Sequence, residues 1–437
     1  MKLLISTPAA LQAAPSVKGM KLLSQNLGSV VGGEAAVRAA NFVVVLFIAR
    51  EYGKATLGMY GVTLAVVTVV VMFADSGLQT AAITRLSVST ANRKEIAARL
   101  IVSKTIVLSV VTIVLAGIAI FTKQGPLFLW IGAWLTARTI LQSYSQLQMA
   151  ILKSISKANW IGPIQCVHGC VLLAGIGLVF LGGWSVLVLL GWLTCGQLFE
   201  FAMATIVLIQ NGIGPSWPPR LDFLATIRTA APYGLLYGLA NAIIRSDTIV
   251  LAALVSLDEL GAFAAANAIL LMVYVCAWLL SSVLLPEMVR LSDDPESLRT
   301  YAHQWMRWVL LIALPCALFV AVLAPRAMLV LYGPAFATSG MLGAIMAIAC
   351  PFILANSIYT AISIAANSRA IFLGVYGGGA LATVVLDVSL GRTFGAFGIA
   401  SAIVIREAGT LLVFWFLISR APWLAGRLAL RMYSRGN

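Results

Sequence analysis

Four arginines, Arg38, Arg138, Arg245 and Arg406, stand inside long apolar runs. A cation at the centre of a bilayer costs about 2.5–3.5 kcal/mol on insertion scales, so each needs a reason to be there. Their neighbours suggest one. Glu34, Arg38 and Asn41 fall at i, i+4 and i+7, on one helix face. Arg138, Gln142, Ser145 and Gln146 make a polar stripe that Gln148 continues. Tyr233, Tyr237, Asn241 and Arg245 step by four along another face, and Asn356, Thr360, Ser363 and Asn367 line a fourth. A guanidinium matches phosphate oxygens bidentately. Tyr, Asn and Gln add flat surface and hydrogen bonds. Together these stripes suit the wall of a hydrophilic chamber.

Each group also has a packing role to weigh. Glu34 can neutralise Arg38 one turn away. Arg245 can pair with Asp247, or snorkel from near the interface. Arg138 has no acid on its own helix, which makes it the strongest binding candidate. Arg406 and Glu407 adjoin, as an inter-helix pair would. The stripe around Asn356 suits helix–helix hydrogen bonding. Asp75 ends a span beside Gly77, where a structural role is the expectation: accepting from neighbouring backbone, or pairing with an Arg of the next loop such as Arg85. Asp387 and Glu200 are isolated acids that can hold a proton, a cation or a packing contact, and Asp247 is a further candidate for coupling or structural charge. His168 suits a hydrogen-bonded core position better than a proton relay. No metal-ligand spacing, nucleophile motif, GxxxxGK[ST] loop or other cofactor site appears, so catalytic residues, metals and cofactors are not expected.

The elements that must carry these residues are transmembrane helices. Of 437 residues, 61% are hydrophobic and 10% charged, against about 25% charged in an ordinary soluble domain. Apolar runs of roughly 20 residues recur throughout. That excludes a sizeable water-soluble catalytic domain and a single-span anchor. A β-barrel would need alternating strands. The six cysteines all fall in apolar runs without a CxxC pair, which suits packing. Twelve spans are expected, at about 27–50, 58–80, 100–121, 127–151, 160–181, 185–209, 225–251, 261–286, 306–325, 336–363, 370–390 and 396–418.

The net charge of +14 follows from loop arginines and lysines rather than from a nucleic-acid surface. With the N-terminus in the cytoplasm, 20 Lys and Arg fall on the cytoplasmic side, 5 opposite and 4 inside spans. Both termini are therefore expected in the cytoplasm. Met20 is a second possible start after Met1, and Pro8 and Pro15 break the short apolar stretch that would make a signal peptide. The fold class is then an all-α integral membrane protein of about twelve transmembrane helices. The division expected is a cytoplasmic tail at 1–25, a first lobe at 26–212, a linker at 213–224, a second lobe at 225–420 and a basic tail at 421–437.

The halves repeat. Thr56-Leu57-Gly58-Met59-Tyr60 opens span 2 and Glu259-Leu260-Gly261-Ala262-Phe263 opens span 8. Ser156-Lys157-Ala158-Asn159-Trp160-Ile161-Gly162 enters span 5 as Ser368-Arg369-Ala370-Ile371-Phe372-Leu373-Gly374 enters span 11. Duplicated halves with a site between them are usual in secondary transporters.

Phe47-Ile48-Ala49-Arg50-Glu51-Tyr52-Gly53, Phe73-Ala74-Asp75-Ser76-Gly77-Leu78, Arg245-Ser246-Asp247 and Pro286-Glu287-Met288, in this order, resemble the polysaccharide-biosynthesis exporters. More narrowly, the chain from about 20 to 420 resembles Wzx-type lipid-linked oligosaccharide flippases, within the multidrug/oligosaccharidyl-lipid/polysaccharide exporter superfamily. The resemblance implies two six-helix lobes around a central cavity that opens alternately to either side. It implies an undecaprenyl-pyrophosphate-linked glycan as substrate, crossing a bacterial inner membrane for surface or exported polysaccharide. Pathway glycosyltransferases and a polymerase become candidate partners beside membrane lipid, and nucleic acid is not one. On this reading Arg38, Arg138 and Arg245 meet the phosphates, while Gln142, Tyr237, Asn241 and Asn356 face sugar. Glu34, Asp75, Asp247 and Asp387 carry coupling or structural charge. The rivals are a cation-coupled multidrug antiporter, which would favour an acidic aromatic pocket, and a polyprenyl-linked glycosyltransferase or polymerase, which would favour a large outer loop.

Overall fold

A computed structural model describes residues 17–88, 92–121, 125–214, 216–218, 222–365 and 369–420. The side chains of Asp75, Pro232, Tyr233 and Tyr237, and the whole of Asn367, lie outside the described residues. In lipid every backbone group must be satisfied within its own segment, and the apolar runs accordingly form helices. These are α1 (Val17–Val88), α2 (Arg93–Phe121), α3 (Pro126–Ser154), α4 (Ile161–Gly182), α5 (Val186–Gln210), α6 (Phe223–Ala252), α7 (Leu257–Arg290), α8 (Pro295–Tyr332), α9 (Ala337–Ala347), α10 (Cys350–Ala365) and α11 (Arg369–Arg420). No strand occurs among the described residues.

Breaks bring this helix list into line with the expected spans. Gly53 (φ 81°) divides α1 into two legs and Gly395 (φ 56°) divides α11. Both have positive φ, where a side chain would be strained. Glu259 of α7 holds the second break: its carboxylate accepts the Ala396 N–H at 2.8 Å, and a Cβ on Gly395 would lie 2.4 Å from it. The α9–α10 pair is bent by 42°, the geometry of a broken span or a re-entrant loop. Among the described residues seven helices are long and apolar enough to cross a membrane, eight with that pair. Helices α3 and α6 are missing from that set, and they carry Arg138 and Arg245.

Helices α2–α5 pack with α1 and with one another; α6–α11 form a second group. α1 joins the groups by crossing α6 and α7. The repeated motif is itself this joint. A Cβ on Gly58 would lie 2.2 Å from the Leu257 carbonyl, and one on Gly261 would lie 2.0 Å from the Lys54 carbonyl. Each glycine thus rests on the carbonyl four residues before its counterpart. Gly61 faces the Ala264 Cβ at 3.3 Å in the same register. Near the other end of the second leg of α1, Gly77 meets the Ala230 carbonyl of α6 at 2.1 Å, measured likewise from an added Cβ. The halves therefore touch at both ends of that leg.

Candidate functional site

Three of the intramembrane arginines converge between these two contacts. Arg138 of α3 is 7% exposed. Its Nη2 donates to Asn41 Oδ1 at 2.6 Å and its Nη1 to the Tyr60 hydroxyl at 3.3 Å, one from each leg of α1. Both acceptors are neutral, so they orient the guanidinium without cancelling its charge. No carboxylate pairs with it among the described residues, and its buried Nε has no partner there.

Arg38, on the first leg of α1, pairs with Glu34 at 2.8 Å while its side chain stays 53% exposed. The Glu34 carboxylate also accepts from Gln165 of α4 at 3.1 Å. Arg245 comes from the other half, on α6. It lies within electrostatic reach of Arg38, which repels it, and of Tyr60. Asp247 is not its partner, because Arg406 takes that carboxylate. Three cations against Glu34 leave this seam positive, with Tyr60 between Arg138 and Arg245.

Polar residues continue the seam. Gln142 is exposed one turn beyond Arg138, and Gln146, a turn further, accepts from Gln79 of α1 at 2.9 Å. The rest of the α3 stripe turns inward. Gln148 donates to Thr205 of α5 at 2.7 Å, and Ser145 accepts from Gln197. Asn241 stands one turn before Arg245 on α6, partly buried. Tyr237 and Asp75 fall on side chains outside the described residues. Arg85, one partner expected for Asp75, donates to Thr229 of α6 at 2.8 Å.

Asn356 joins a different cluster, inside the second half. It donates at 3.0 Å to both the backbone carbonyl and a carboxylate oxygen of Glu407. Arg406 reaches Asp247 at 2.6 Å, Glu407 at 3.3 Å and the Tyr274 hydroxyl at 3.1 Å, and that hydroxyl donates to Glu407 at 2.8 Å. Asp387 is 1% exposed and abuts Asp247. The two carboxyl groups share a hydrogen bond, and no other side chain bonds to Asp387 among the described residues. Asp247 and Asp387, 140 positions apart in the chain, thus share one site, which their sequence positions do not disclose. In the first half, His168 Nδ1 meets Glu200 at 2.5 Å with Gln197 beside them.

Three further residues escaped the sequence reading. Tyr60 looks like part of the repeat motif, yet orients Arg138. Lys153, at the α3 end, lies within electrostatic reach of Glu34. Lys104, counted as a loop charge, is instead fully buried in α2 and donates to the Ser143 carbonyl. Its place four residues inside the span was the available signal.

The polysaccharide biosynthesis protein family model matches residues 47–340. The chain belongs to this family. No curated protein matches by sequence. Among solved structures, the lipid II flippase MurJ in an inward closed conformation is 13% identical, with a TM-score of 0.73 over 89% of this chain and 86% of MurJ. An inward-facing multidrug resistance MATE transporter gives 13% identity and a TM-score of 0.68, covering 94% and 96%. A Pyrococcus furiosus transporter of the MOP superfamily, described as having a binding pocket of reversed polarity, gives 12% and 0.65 over 91% and 96%. The fold is that of these solved structures, and the chain is a multi-pass membrane protein.

Proposed function

We propose that this family member flips polyprenyl-pyrophosphate-linked oligosaccharide repeat units from the cytoplasmic to the periplasmic leaflet of a bacterial inner membrane. The observation that carries the reading is the net positive seam of Arg38, Arg138 and Arg245, drawn from both halves, in which Glu34 offsets Arg38 and no carboxylate pairs with Arg138 among the described residues. A pyrophosphate crossing about 30 Å of hydrocarbon loses its water. Arg138, already oriented by the neutral acceptors Asn41 and Tyr60, replaces part of that hydration without reorganising. The polyprenyl chain stays in lipid while the head group passes between the halves. Gln142 and Asn241 line the sugar's path, and Tyr237, outside the described side chains, remains a sequence-based candidate for it. Lobes at 26–212 and 225–420 rock about the α1 crossings, with both termini cytoplasmic. Glycosyltransferases load the substrate and a polymerase receives it. A potential negative inside assists, by about 2.3 kcal/mol per 100 mV for each negative charge carried outward.

Deletion should leave lipid-linked repeat units facing the cytoplasm, with complementation by the wild type and not by Arg138→Ala. Normal export by Arg138→Ala would sink the pocket assignment. Multidrug antiport is the second reading, favoured by the MATE-like fold and the acidic cluster around Asp247. Its acids, however, sit inside the second half, away from the seam. Drug efflux by the purified chain in vesicles, with no effect on lipid-linked glycan, would favour that reading instead.

A further inference from the structure

A second cationic site lies away from the seam. The start of α2, the α3–α4 turn and the end of α5 enclose a cavity of about 390 Å³. Arg93, Lys94 and Lys157 line it, with Asn211 beside them and no carboxylate among the lining residues. None of these three cations forms an ion pair among the described residues. The buried Arg93 Nε has no hydrogen-bond partner there either. Glu95, the nearest acid in the chain, is held by Arg99.

Backbone charge adds to the field. The α2 N-terminus brings its positive dipole end to the cavity. The opposing end of α5 is already satisfied: Asn211 Nδ2 donates to the Val207 carbonyl at 2.7 Å and the Ile213 N–H to that of Leu208 at 2.9 Å. Apolar surface then says which anion fits. Ile155 and Ile213 belong to the core around Leu152 and Leu208. On the outer face of α5, Leu198, Phe199, Ile206 and Ile209 are exposed in a stripe that descends to the cavity rim. Trp160 is exposed at the start of α4, as interfacial tryptophans are. Among the described residues α5 packs against α3 and α4, both of the first half.

We propose that this cavity binds the phosphate of an anionic phospholipid whose acyl chains lie along the α5 stripe. Basic pockets between transmembrane helices, on the side bearing excess Lys and Arg, recognise such head groups. The bound lipid links α2 and the α3–α4 turn, whose cations otherwise repel, to the end of α5. The site does not depend on the transported substrate.

The test uses the full chain, purified in detergent and offered phosphatidylglycerol, phosphatidylcholine or inorganic phosphate. Native mass spectrometry reads the lipid retained. The wild type should retain phosphatidylglycerol over phosphatidylcholine by roughly tenfold or more. Arg93→Gln/Lys94→Gln/Lys157→Gln should bring that ratio close to one, while Arg290→Gln/Arg299→Gln/Arg307→Gln, an equal charge change elsewhere, should leave it. If the first triple variant fails to fold, Lys157→Gln alone should lower the ratio several-fold. No preference in the wild type, or an unchanged ratio in the cavity variants, overturns the site. Retention of inorganic phosphate without phospholipid overturns the lipid assignment.

Discussion

Two arginine environments separate binding charge from structural charge. Arg138 rests on neutral acceptors, whereas Arg406 is enclosed by Asp247 and Glu407. Charge-assisted hydrogen bonds contribute about 1.5–3 kcal/mol each. Arg138→Ala should therefore slow flipping roughly 10- to 100-fold if one such contact to phosphate is lost. Arg138→Lys should recover part of the rate, because charge remains and the fork does not. A fluorescence-labelled lipid-linked substrate in vesicles gives both rates. Melting in detergent should barely move. For Arg406→Met the expectation reverses: buried carboxylates lose their cation at a cost of about 3–5 kcal/mol. Its melting temperature should fall sharply, and Arg406→Met/Asp247→Asn should recover part of the loss. Equal melting of Arg406→Met and wild type would mean the cluster is not a structural pair. The chain alone made Arg138 the strongest binding candidate, because no acid stands on its helix. It could not rank Arg245 against Asp247, since the competing partner, Arg406, lies 159 positions away from Asp247.

Helices were legible wherever apolar length decided the matter, and much less so where a single backbone angle or a distant contact did. The twelve apolar stretches correspond to helical legs because hydrocarbon permits no other backbone solution. The breaks at Gly53 and Gly395 stand between expected spans, but nothing in composition says that helix resumes after one residue. The repeat was visible as Leu57-Gly58 against Leu260-Gly261. That these copies grip each other was not visible, because reciprocal glycine-to-carbonyl packing is a three-dimensional fact. It yields a prediction. At Gly58 or Gly261 a Cβ would overlap backbone of the other half, which cannot give as a side-chain tip can. Gly58→Val should cost about 1–3 kcal/mol of stability in the closed arrangement and hold that end apart. Spin labels on the two halves near residues 55 and 258 should read longer distances in Gly58→Val, while labels near Gly77 and Ala230 read little change. Gly77→Val should give the converse pattern. Unchanged distances in both variants would show that these contacts are not the gates.

Those two gates, with the positive seam between them, make the whole molecule a barrier with a charged interior. Each end has a polar latch as well as a glycine contact. Arg50, just before the Gly53 break, donates to the Val330 and Leu331 carbonyls that end α8, so one N–H fork closes over otherwise unsatisfied helix-terminal acceptors. At the other end Arg85 of α1 donates to Thr229 of α6. Rocking of the halves must break one latch while the other holds, or the seam would be wet from both sides at once. Arg50→Ala and Arg85→Ala should therefore act in opposite senses. With a single cysteine at Gln142, which is exposed beside Arg138, labelling by a membrane-impermeant maleimide from outside right-side-out vesicles should rise several-fold in Arg50→Ala. Arg85→Ala should instead raise labelling in inverted vesicles. Because each variant removes hydrogen bonds to neutral groups, the shift per latch should be about 0.5–3 kcal/mol, enough to change populations without locking either state. If both variants raised labelling from the same side, the two latches would not oppose each other, and a rocking exchange between these ends would be wrong.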